Sequence, residues 1–356
     1  GAKEGMKKKL ILGSVLVLLM AILTGCRSGE NGEVYVYSYG DYYDPEIIAD
    51  FEADTGIRVI QDTYDTAEEM YPVIKNGSAD YDVVCTSDYM VGRMMDEGLL
   101  LKLDKRNIRN LKNMDSKYMK MAEAFDPGNR YSVPHVVGVQ GILYNKKKTG
   151  GKKIDSWNAL WDSAYANNIV MQDSVRDAFA ISLMRLGYSP NSTNPKEIEA
   201  AKNALKEQKP LVYKYANDSA RDLLADGSAT IGVVWNGEYQ YTHDLNKDVE
   251  FVVPKEGAEF FIDSWIIPKT SKNKKNAEKF INYMCRASVA KRNFDYLYYT
   301  MPNAAAIRKI PSKYVSNPAM FPTRDIIDRC TLLTKLDPET TKLYSDSWKE
   351  VKSSKN

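Results

Sequence analysis

Twenty-four tyrosines occur in 356 residues, many of them next to an aspartate or glutamate. An aromatic face beside a carboxylate is chemistry suited to an organic cation. Other chemistries lack their residues. The chain has no GxxxxGK[ST] phosphate loop, no GxGxxG turn, no HExxH helix and no GxSxG elbow. Its two histidines, His135 and His243, stand at no metal-ligand spacing and read as structural or surface residues. Zinc and catalytic-triad chemistry therefore lack support, and no cofactor or metal is expected.

The N-terminal segment predicts location. Lys7-Lys8-Lys9 precedes an apolar run over residues 10–23, which ends in Leu23-Thr24-Gly25-Cys26. A basic region, a short apolar stretch and small residues before a cysteine look like a bacterial lipoprotein signal over residues 6–25. Cys26 would become the lipidated first residue, with residues 26–32 as a polar tether and the folded body starting at Glu33. Residues 1–5, ahead of Met6, read as a cloning remnant. Cleavage removes Lys3, Lys7, Lys8 and Lys9 together with Glu4, so the formal charge falls three units from +2 to about −1. That balance gives no reason to expect nucleic acid. No second apolar stretch is long enough to span a bilayer. Cys85, Cys285 and Cys330 remain, an odd number that argues against a disulfide framework, although Cys285 and Cys330 could pair.

The elements that must position a site alternate between strands and helices. Residues 34–38 read as a strand. Asp44-Pro45-Glu46 then supplies a cap, a first-turn proline and an acid on the dipole for a helix carrying Ile47, Ile48 and Phe51, with Gly56 as its stop. Residues 57–60 predict the next strand. The unit repeats: Thr66 and Glu69 have capping-box spacing, residues 81–87 read as a strand, and residues 91–97 as a helix ending at Gly98. Pro72 predicts a kink or a later start in the middle helix. Helices over 177–186 and 195–207 and strands over 230–235 and 249–253 follow. The class is α/β with a parallel sheet at its start.

Seven segments, read in order, carry a resemblance: VYVYSYGDYYDPEIIADFEADTGIRV from Val34, YDVVCTSDYMVGRM from Tyr81, AFDPGNRYSVPHVVG from Ala124, VRDAFAISLMRLGYSPNSTNPKEIEAA from Val175, IGVVWNGE from Ile231, FFIDSWIIP from Phe260 and TMPNAAAIRK from Thr300. Together they resemble the polyamine (spermidine/putrescine) substrate-binding lipoproteins of ABC importers. The resemblance implies a two-lobed periplasmic-binding-protein fold of type II-like α/β lobes, with the ligand in the cleft between them. It places lobe one at residues 33–138 and 263–306, and lobe two at residues 139–262 and 307–356. It implies no catalysis, a polyamine ligand, ABC permease subunits with their ATPase as partners, and a monomer. The receptor would be anchored through Cys26 to the outer face of the cell membrane, or to the periplasmic side if an outer membrane exists.

Ligand-facing positions carry over singly. Tyr39 stands where the family often has tryptophan, Asp41 where it has an acid, and Tyr42 where it keeps tyrosine. Ser87 and Tyr89 match a second loop, Asp177 an acid at an inter-lobe helix start, Trp235 a cleft tryptophan, Asp263 the principal carboxylate and Tyr299 a late tyrosine. Three departures move the pocket toward a short diamine. Ser174 replaces an aspartate typical of spermidine-preferring members, with Asp173 beside it, and Phe261 replaces a common tryptophan. Glu238 lies where putrescine-preferring members often have an aspartate. Putrescine is therefore expected to be slightly favoured. Two rival readings stand beside this one. The adjacent phenols Tyr42-Tyr43 and Tyr298-Tyr299 could ligate ferric ion, and a carboxylate pair could serve an exported hydrolase.

Overall fold

A computed structural model describes residues 29–356. The signal segment and Cys26 lie outside the described residues. Three parallel strands come first: β1 (Glu33–Tyr39), β2 (Arg58–Tyr64) and β3 (Val83–Thr86), with β1 in the middle. The helix Glu46–Thr55 connects the first two. Asp44 Oδ1 accepts the Glu46 N–H at 2.9 Å, and Gly56 ends the helix at φ +69°, a conformation open to glycine. Ile47, Ile48 and Phe51 on its inner face pack with Val34, Val36, Val83 and Phe280. The helix Ala67–Lys75 starts where Thr66 caps it and runs through Pro72, so the later start does not occur. Met70, Tyr71 and Ile74 are buried along it, and that packing outweighs the one backbone bond proline withholds.

Two long strands then tie the molecule together. β4 (Ser132–Asn145) and β9 (Glu259–Ile266) run antiparallel, and β9 continues the first sheet beside β3 through Val84↔Ile266, Cys85↔Trp265 and Thr86↔Ser264. The first half of β4 pairs with β9 from Ser132↔Ile266 to Val139↔Phe260. Its second half pairs with β7 (Ile231–Trp235), from Gln140↔Trp235 to Tyr144↔Ile231, and with β8 (Val249–Val252). β7 leads on through β5 (Ile169–Met171) to β6 (Val212–Tyr215), both parallel pairings. The strand order is β2-β1-β3-β9-β4-β7-β5-β6, with β10 (Thr331–Leu332) parallel to the start of β9.

Separate apolar cores lie at the two ends. One end packs both faces of β1 and β3, around Phe51 and Trp265 on one side and Met70 and Met90 on the other. At the other end, Trp157, Phe179 and Tyr344 centre one core, and Leu143, Val170 and Val234 belong to another. The C-terminal helix Pro338–Ser353 buries Tyr344, Trp348 and Val351 there. Cys85, Cys285 and Cys330 are free thiols, so Cys285 and Cys330 do not pair. Among the described residues no helix is long and apolar enough to cross a membrane.

Where β4 passes from β9 to β7, a Cβ on Gly138 would stand 2.5 Å from the Phe261 ring and 2.8 Å from Asn236 Oδ1. Only a residue without a side chain lets those groups lie across the strand. Gly138→Ala should therefore destabilise the protein by about 1–3 kcal/mol, read from chemical denaturation. An unchanged unfolding midpoint would contradict this close approach.

Candidate functional site

Side chains alternate along a strand, so Glu259, Phe261 and Asp263 share one face of β9. Asp263 is only 8% exposed. The Tyr42 hydroxyl donates to Asp263 Oδ2, joining residues from opposite ends of the chain. His135, at the irregularity of β4 between Pro134 and Val136, places Tyr42: its Nε2 lies 2.8 Å from the Tyr42 carbonyl. Burial pushes the His135 pKa down to about 4, so the ring is neutral and donates from Nε2. Tyr39, at the end of β1, packs its ring at a tilt 5.3 Å from Tyr42 and 4.7 Å from Tyr64.

Facing these is a second aromatic group. Trp235, at the end of β7, meets Phe261 edge to face at 5.0 Å, and Phe261 lies 6.0 Å from Tyr299. A Cβ on Gly237 would overlap the Tyr299 ring, so that glycine admits the tyrosine. Asn236 fixes the turn by accepting the Val139 N–H at 3.0 Å. Tyr299 donates its hydroxyl to Glu238 Oε1 at 2.8 Å, and Arg221 donates to Glu238 Oε2 at 2.7 Å. Glu238 therefore has a cation of its own.

The ladder between β3 and β9 ends at Thr86↔Ser264, and the helix Asp88–Asp96 begins there. Asp88 takes the next free donor, accepting the Ile262 N–H at 3.1 Å. Ser87 precedes this helix with a buried hydroxyl that has no partner among the described residues, and Tyr89 donates to Glu68 Oε1 at 2.8 Å. Asp177 lies in the first turn of the helix Val175–Arg185, close enough to Asp263 and Glu259 to act on both electrostatically. Gln140 donates to Gln172 Oε1 at 2.5 Å and to the Asp177 carbonyl at 3.3 Å, which fixes the helix start.

Two expected positions stand apart. Asp41 adopts φ +55° and turns outward, where it accepts from the Tyr296 hydroxyl. Ser174 begins the Val175–Arg185 helix without capping an N–H, and Asp173 is exposed and bonded to Lys352 at 2.6 Å. The adjacent phenols diverge: Tyr43 donates to Gln61 while Tyr42 serves Asp263, and the Tyr298 ring packs on Phe294 and Tyr314. Neither pair presents two oxygens to one ion. Glu259, Asp88, Gln140 and the positioning role of His135 were not anticipated. The period-two pattern of Glu259-Phe260-Phe261-Ile262-Asp263 was the available signal for Glu259.

The site is thus acidic and largely buried. Among the described residues no Lys or Arg makes an ion pair with Asp88, Asp177, Glu259 or Asp263. Burial pushes Asp263 up to about 7, against the pull of its Tyr42 hydrogen bond and with Asp177 adding to the rise. Burial likewise raises Asp88 to about 8. Burial raises Glu259 too, and Asp177 beside it adds to the shift. Such a site can hold a cation with an apolar body.

The family model for bacterial extracellular solute-binding proteins matches residues 46–322. The chain belongs to that family. It is 35% identical over 308 residues to the spermidine/putrescine-binding periplasmic protein of Salmonella typhimurium, covering 86% of this chain and 88% of that one. The solved structure of a spermidine/putrescine ABC transporter protein from Listeria monocytogenes superposes with a TM-score of 0.85 at 35% identity, covering 91% of this chain and 99% of that one. The substrate-binding protein PotD of Streptococcus pneumoniae, solved with calcium and HEPES, gives a TM-score of 0.81 at 33% identity, covering 90% and 98%. The fold of this solute-binding protein is the two-lobed α/β type.

The raised carboxyl has a consequence for stability. In the folded, unliganded solute-binding protein Asp263 keeps its proton up to about pH 7, whereas in the unfolded chain it loses it near 3.8. The folded state thus binds more protons between those values, and stability falls as pH rises from about 4 to about 7. Asp263→Asn should make that fall shallower in a series of thermal melts. A wild-type slope retained in the variant would contradict the assignment.

Proposed function

We propose that this protein is the extracytoplasmic receptor that hands putrescine or spermidine to an ABC importer, without altering it chemically. The observation that carries the reading is the group of buried carboxyls that makes no ion pair among the described residues, set between two aromatic walls. A polyamine is a flexible methylene chain with ammonium groups at intervals. Tyr39, Tyr42, Trp235, Phe261 and Tyr299 suit the methylenes, and Asp263 and Asp177 suit the charges. Glu238, matched by Arg221, instead holds Tyr299 in place. A desolvated cation over an aromatic face contributes about 1–2 kcal/mol, and each charge-assisted hydrogen bond about 1.5–3 kcal/mol. A micromolar complex needs only about 8 kcal/mol net, so two paired ends and the aromatic walls suffice.

The lobes follow residues 33–138 with 263–306, and 139–262 with 307–356. The change of partner along β4, from β9 to β7, supports a crossing at that boundary. Ligand would draw Trp235 and Asp177 toward Tyr42 and Asp263. The receptor acts as a monomer with permease and ATPase partners, and its tether is a lipid on Cys26. The ferric reading lacks a paired phenol, and the named relatives are binding proteins and not hydrolases.

Calorimetric titration with putrescine, cadaverine, spermidine and spermine tests the reading. At least one should bind, and Asp263→Ala should cost about 2–5 kcal/mol of that affinity, because it leaves a buried ammonium unpaired. No binding by any of the four, or unchanged affinity in a folded variant, would overturn it. Indole fluorescence should also respond to ligand. A signal kept whole in Trp235→Phe would place its source elsewhere.

A further inference from the structure

Glu259 opens β9 and is 5% exposed, yet its Oε2 is buried without a hydrogen-bond partner among the described residues. Leaving a carboxylate oxygen buried and unpartnered is costly unless something absent from the chain completes it. A second carboxyl, Asp177, lies close enough to raise the Glu259 pKa further. Two carboxyl groups side by side either share a proton or hold a cation between them. Arg176 acts on Glu259 electrostatically but makes no ion pair with it: its terminal nitrogens donate to the Thr334 carbonyl at 2.9 Å and to Asn191 Oδ1 at 2.8 Å, and its Nε bonds to no described residue.

The position along the strand gives this pair a meaning. Glu259 lies on the same face of β9 as Phe261 and Asp263, four residues from the latter, about 13 Å by strand rise. Asp177 acts electrostatically on both. A four-methylene diamine is too short to pair with Asp263 and Glu259 together. A triamine is long enough, with its chain along the Phe261 ring.

We propose that Glu259, paired with Asp177, is the far cation subsite of the pocket, holding the terminal ammonium of a triamine whose other end lies on Asp263. The inference rests on the polyamine reading above. It reverses the tilt toward putrescine expected from Ser174, Phe261 and Glu238, because the acid missing at Ser174 is supplied from β9. Glu259 is thereby a determinant of ligand length.

Titration of wild type and Glu259→Gln with putrescine and spermidine at one salt concentration tests it. Wild type should bind spermidine more tightly than putrescine, and Glu259→Gln should lose spermidine affinity by about tenfold or more while putrescine shifts by less than about twofold. Parallel loss for both ligands, or no loss for either, overturns the subsite and leaves the polyamine reading standing. Wild type that binds neither ligand overturns that reading and the subsite with it. Should the glutamine variant fail to fold, Glu259→Leu gives the same comparison, since it fills the site without a charge. Loss confined to spermidine is again the expected result, and parallel or absent loss again overturns the proposal.

Discussion

The constraint on which the site depends is the burial of carboxyl groups that form no ion pair among the described residues. Elsewhere the protein pairs its charges: Glu238 with Arg221, Asp173 with Lys352, Asp50 with Arg292. Around β9 it makes no such pair among the described residues: the buried Asp88, Glu259 and Asp263 and the half-buried Asp177 converge, and Arg176 acts on Asp88 and Glu259 only through its field, without an ion pair. Stability alone would favour an apolar replacement at such positions. The arrangement is consistent with a receptor whose missing cation is the ligand.

The fold serves this by bringing distant segments to two strands. β4 and β9 run side by side through the middle of the molecule, and the site residues attach along them: Asp263 and Phe261 on β9, His135 and Gln140 on β4. Tyr42 arrives from the loop after β1, Trp235 from the end of β7, and Asp177 from a helix start. Gly138 and Gly237 let aromatic rings lie close to backbone. The aromatic walls are therefore set by backbone approach as well as by side-chain choice.

How much of this the sequence disclosed varied with how local the cause was. The strand and helix alternation of the first 100 residues was legible because its signals are short-range: Asp44 and Thr66 as caps, Gly56 as a stop. β4 was not, because almost every residue in it is buried and the pattern lacks a period of two. Tyr42 and Asp263 are 221 residues apart, so only the family resemblance could suggest that they meet. Asp41 shows the limit of such transfer, since a backbone turn at φ +55° sends it outward. Arg221, 17 residues before Glu238, had no signal at all, and its ion pair removes Glu238 from the free acids. Glu259 could have been found by reading β9 as a strand.

The central claim, that ligand ammonium completes a protonated, buried carboxylate site, is tested most directly by proton linkage. Spermidine should be titrated calorimetrically at about pH 6.5 in buffers of different protonation enthalpy. Asp263 is held up to about 7 in the unliganded protein, and an ammonium beside it lowers that value, so binding should release protons to the buffer. Binding with no proton exchange, or with proton uptake, would contradict the account.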